Sequence, residues 1–76
     1  MQIGKSSENY LETILMLSKQ LPVVRSIDIA SELNFSKPSV SVAMKHLRED
    51  GCIEVNPSGF ITLTPKGMEI ASTIYE

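Results

Sequence analysis

The chain has 76 residues, a mass of 8.4 kDa, 42% apolar and 21% charged residues, and a net charge of −2. That is the size of one domain with ordinary globular composition, which excludes a disordered tail and a uniformly basic nucleic-acid coat. No apolar run approaches the ~18 residues of a membrane span, Met1–Ser7 lacks the apolar core of a signal peptide, and the lone Cys52 and lone His46 build neither a disulfide framework nor a structural zinc site. The reading is a cytoplasmic chain with no membrane association.

Ser6 or Ser7 is a candidate cap for a first helix over about residues 7–20, with Glu8 in its first turn. Tyr10, Leu11, Ile14, Leu15 and Leu17 fall at helical spacing, and Pro22 marks the stop. Val23 and Val24 read as a short extended piece. Ser26 is the next candidate cap, for a short helix over residues 27–33 with Ile29, Ala30 and Leu33 as its apolar stripe. Asn34 and Phe35 turn the chain. Ser36 then caps a third helix over residues 37–49, with Pro38 in its first turn, where a missing N–H costs little. Val40, Ala43, Met44 and Leu47 repeat at i, i+3, i+4, i+7, and Gly51 ends the helix.

After Gly51 the pattern changes. Cys52–Val55 and Phe60–Leu63 alternate around the turn cluster Asn56-Pro57-Ser58-Gly59, which predicts a β-hairpin with a four-residue loop. Thr64-Pro65 opens a fourth helix, with Met68, Ile70, Ala71 and Ile74 as its apolar face. The fold class is therefore α+β: three helices, a two-stranded hairpin and the start of a fourth helix. Two short helices on a tight turn, followed by a hairpin, make a winged helix-turn-helix.

The charge is unevenly spread. Residues 1–36 hold three bases against four acids and residues 49–76 one base against five, whereas residues 37–48 hold Lys37, Lys45 and Arg48 against none. The basic segment is thus the second helix of the helix-turn-helix, whose N-terminal part reaches base edges in the major groove. Ser36, Lys37, Pro38, Ser39, Ser41, Val42 and Lys45 lie off its apolar stripe and are the candidate DNA-binding residues. Hydroxyls donate or accept at bases and phosphates, Val42 suits a thymine methyl, and Lys37 and Lys45 suit phosphate. The hairpin is less clear-cut. Residues 53–63 hold no Lys or Arg, and Glu54 is acidic, so the wing either touches DNA weakly or mainly covers the core. No catalytic constellation appears, and no enzyme is expected. His46 has no nucleophile or orienting carboxylate placed by spacing, and Cys52 reads as a half-buried small apolar residue. Met16, Met44 and Met68 read as core fillers.

The run Asn9-Tyr10-Leu11-Glu12-Thr13-Ile14, then Ile27-Asp28-Ile29-Ala30 and Leu33, then Ser36-Lys37-Pro38-Ser39-Val40-Ser41, then Leu47 and Gly51, and Leu63-Thr64-Pro65-Lys66-Gly67, resembles the N-terminal domain of the diphtheria-toxin-repressor-like metal-dependent regulators. The manganese transport regulators belong to the same group. The resemblance covers nearly the whole chain. It implies a homodimeric repressor that binds a palindromic double-stranded DNA operator when Mn²⁺ or Fe²⁺ is present, with base and phosphate contacts from Ser36, Pro38, Ser39, Ser41 and Val42. It also implies metal ligands on the first helix at Asn9, where relatives carry Asp or Met, and at Glu12. A neutral amide is a poorer donor to a hard cation than a carboxylate. The family's remaining ligands and its dimerisation domain would lie beyond Glu76. Residues 1–76 are then the DNA-binding domain alone, expected to be monomeric and to hold no metal tightly. Two other functions fit parts of the pattern: a winged-helix regulator that senses a non-metal signal, and a winged helix used as a protein–protein module.

Overall fold

A computed structural model describes the backbone of residues 5–75 and the side chains of residues 7–73. The elements are α1 (Lys5–Gln20), α2 (Ser26–Leu33), α3 (Lys37–Glu49), β1 (Ile53–Val55), β2 (Ile61–Leu63) and α4 (Pro65–Tyr75). The order and type agree with the sequence reading. Several boundaries do not. α1 is already helical at Lys5, so neither Ser6 nor Ser7 caps it. Ser26 is the first helical residue of α2 rather than its cap. That position belongs to Arg25, whose backbone N–H donates to the Asp28 carboxylate at 2.9 Å. The Asp28 carboxylate thus takes the N–H of the cap residue itself, the reciprocal half of a capping box.

α1 and α4 pack against each other, and α2 and α3 form the second helical layer. Tyr10, Leu11, Ile14, Leu15 and Leu17 of α1 meet Ile29, Ala30, Val40, Met44, Leu47, Ile53, Ile61 and Ala71 in one core. Met16 is half-buried at its margin. Met68 is 42% exposed, so α4 turns Ala71 and part of Ile70 inward while Met68 stays outside. Ile74 lies outside the described side chains. The hairpin is antiparallel, pairing Ile53 with Leu63, Glu54 with Thr62 and Val55 with Ile61. Five residues, 56–60, link the strands, one more than the sequence suggested. Asn56 organises that loop: its Oδ1 accepts the N–H groups of Ser58 and Phe60, each at 2.9 Å.

Three joints set where α3 stands. Asn34 takes the left-handed conformation (φ 59°) after α2, and the Phe35 N–H returns to the Ala30 carbonyl at 3.0 Å. Gly51 (φ 79°) ends α3, with its N–H on Arg48 and that of Cys52 on Leu47, the two bonds of a Schellman closure. Thr64 opens α4: its Oγ1 accepts the Gly67 N–H at 3.2 Å and donates to the Gly51 carbonyl at 2.6 Å. Gly67 is buried where a methyl group would overlap the Cys52 carbonyl, so α4 can approach the hairpin only without a side chain there.

Candidate nucleic-acid interface

The two faces of α3 separate as the heptad spacing requires. Val40, Met44 and Leu47 are buried, and Ala43 is half-buried. Lys37, Pro38, Ser39, Ser41, Val42 and Lys45 are all exposed, as is Ser36 at the cap. Val42, at 57% exposure, is an unshielded aliphatic group in the middle of that polar face. Proline at the second helical position leaves no orphaned donor, and Ser36 closes the first turn. Its Oγ accepts the Ser39 N–H at 3.4 Å and donates to the Ser39 Oγ at 2.8 Å. The two hydroxyls are thus held together across the first turn of α3.

The structure brings Arg48 and Ser26, absent from that set of candidates, beside Lys45 and Ser41. Arg48 and Lys45, one turn apart on α3, line a cleft of about 230 Å³ with Ser41 and Ser26, closed on the far side by Val55, Gly59 and Ile61 of the hairpin. Arg25, at the cap of α2, is a further cation that meets the hairpin. Its Cζ lies 4.9 Å from the centroid of the Phe60 ring. Nothing in the sequence marked Arg25: it stands alone between Val24 and Ser26, far from the basic segment. Phe35, 44% exposed, lies just before the cap of α3 and meets Tyr10 edge-to-face at 5.9 Å. His46 is exposed on α3.

On α1, Asn9 is exposed and Glu12 half-buried one turn on. The Asn9 carbonyl is taken by the Thr13 hydroxyl at 2.9 Å. No group of three or more His, Cys, Asp or Glu side chains converges among the described residues. Mn²⁺ and Fe²⁺ take about six donors, so Asn9 and Glu12 by themselves do not make a site for either. Cys52 is fully buried rather than half-buried. Burial pushes its thiol up; Lys66 acts against that shift and Asp50 adds to it. A thiol so placed is a core atom rather than a reactive one.

Residues 2–60 match the family described as "Iron dependent repressor, N-terminal DNA binding domain". The chain belongs to this family. It is 32% identical over 69 residues to the diphtheria toxin repressor of Corynebacterium glutamicum, across 91% of this chain and 30% of that protein. It is 33% identical over 64 residues to the transcriptional regulator MntR of Escherichia coli O6:H1, across 84% of this chain and 41% of that protein. The chain thus spans well under half the length of these relatives. The family consists of transcriptional repressors, not enzymes. The fold also matches MepR from S. aureus in its DNA complex, with a TM-score of 0.77 over 93% of this chain and 53% of that one, at 21% identity. That likeness establishes the winged-helix fold. No helix among the described residues is long and apolar enough to cross a membrane.

Proposed function

We propose that this iron-dependent-repressor domain reads double-stranded DNA sequence-specifically, as the operator-binding part of a metal-dependent transcriptional repressor in the cytoplasm. The observation that carries this reading is the outward face of α3. It is polar, free of acids from Lys37 to Arg48, and exposed along its whole length. Ser36, Ser39 and Ser41 are the small donors and acceptors for bases and phosphates, and Pro38 and Val42 are the apolar groups for a thymine methyl. Lys37, Lys45 and Arg48 neutralise phosphate and fix the register of the helix on the duplex. The full repressor is a homodimer on a palindromic operator, one α3 to each half-site. A single copy of residues 1–76 is monomeric and holds one half-site weakly.

Membership of the family supports control by Mn²⁺ or Fe²⁺. Asn9 and Glu12 would contribute two donors, and the rest of the shell would come from outside the described residues. When bound, the ion would supply positive charge and a fixed coordination geometry.

Titration of a labelled duplex at several salt concentrations tests the DNA reading. Three or four cations per protomer predict a slope of log K against log salt of roughly −3 to −4, a loss of about a hundredfold between about 50 and 200 mM. A slope near zero would overturn it and favour the protein–protein module.

A further inference from the structure

The hairpin poses a problem for a DNA-binding wing, because residues 53–63 contain no Lys or Arg and one acid, Glu54. The neighbouring chain resolves it. The Val24 carbonyl accepts the Ile61 N–H at 2.7 Å, which docks the segment before α2 along the edge of β2. That single bond sets Arg25 beside Phe60, whose ring lies under the guanidinium at 4.9 Å. Phe60 is itself held, since Asn56 Oδ1 accepts its N–H at 2.9 Å. Phe60 also shares a cleft with Arg48, and Ser26, next to Arg25, lines the cleft with Lys45 and Arg48. The guanidinium therefore stands at the loop end of the hairpin, over a ring that shares a cleft with Arg48 of α3.

We propose that Phe60 is a positioning residue for Arg25, and that the pair is the phosphate-binding cation of this wing. The inference rests on the DNA-binding reading above. An exposed arginine otherwise samples many rotamers, and fixing one on binding opposes association. A ring face removes part of that cost in advance. Unlike a carboxylate partner, it leaves the positive charge uncancelled for a phosphate. The wing borrows its cation from the segment before α2 and holds it with an aromatic of its own.

The test is a set of variants titrated with a mixed-sequence DNA duplex at several salt concentrations, with thermal melting of each free protein as the folding control. Phe60→Leu keeps an apolar side chain but loses the ring face. It should weaken binding about two- to fivefold at low salt and make the salt slope shallower by less than one. Phe60→Tyr should restore both. In an Arg25→Gln background Phe60→Leu should have no further effect. A structural role alone would change the melting temperature and leave the slope untouched. Unchanged affinity and slope in Phe60→Leu, or the same loss with and without Arg25, would overturn the inference. Should Phe60→Leu unfold, Arg25→Gln at an exposed position reads the same contact, and an unchanged slope there overturns it equally. Affinity that Lys45→Ala lowers and these variants leave alone would remove this inference and keep the DNA reading. A wild-type chain without duplex affinity would remove both.

Discussion

α3 and α1 each turn a polar face outward, and the two faces differ in completeness. On α3, Ser36, Lys37, Pro38, Ser39, Ser41, Val42 and Lys45 stand exposed together over Val40, Met44 and Leu47. On α1, exposed Asn9 and half-buried Glu12 sit over Tyr10, Leu11 and Ile14, and no further ligand converges on them among the described residues. The difference follows from what each partner demands. A DNA groove is long and nearly straight, so one helix face, laid out by local periodicity, offers most of what it needs. A divalent ion is a point that wants about six donors from several directions, and one helix face supplies two at most. A groove-reading surface is therefore far more local in the sequence than a coordination sphere.

The largest effect that would break the comparison comes from the core both faces share. Leu47, 1% exposed under α3, should cost about 2–5 kcal/mol of stability as Leu47→Ala. In so small a domain that is a large share of the total, and urea unfolding would read it. A loss below about 1 kcal/mol would mean that α3 is not anchored by its inward stripe.

A finer test divides the α3 face. Lys45→Ala should weaken all duplexes about equally, whereas Ser39→Ala or Val42→Ala should relax preference at one base position by about 1–3 kcal/mol. Binding to a randomised duplex library, sequenced after selection, would show which substitution alters the preferred site. Altered preference in Lys45→Ala with none in the other two would invert the assignment.

The smallest expected effect belongs to α1. Two oxygen donors leave most of an Mn²⁺ shell as water, so these 76 residues should bind the ion no more tightly than about millimolar. Sedimentation should show a monomer with or without it. A stoichiometric micromolar site in a calorimetric titration, or a stable dimer, would place a complete metal site within this chain and erase the contrast between the two faces.

Much of this protein is fixed by local rules. Apolar spacing on α1, α2 and α3, Ser36 and Pro38 at the start of α3, Gly51 at its end and Thr64-Pro65 at the start of α4 specify the element order and the outward face of α3, because each depends on residues within a turn or two of itself. Tertiary structure decided the rest. Arg25 became a wing cation only when the Val24 carbonyl paired with Ile61 and brought Phe60 beneath it. Met68 was left outside while Gly67, next to it, was pressed against Cys52. Those outcomes depend on how segments far apart in the chain approach one another, and hydrophobic periodicity carries no record of that.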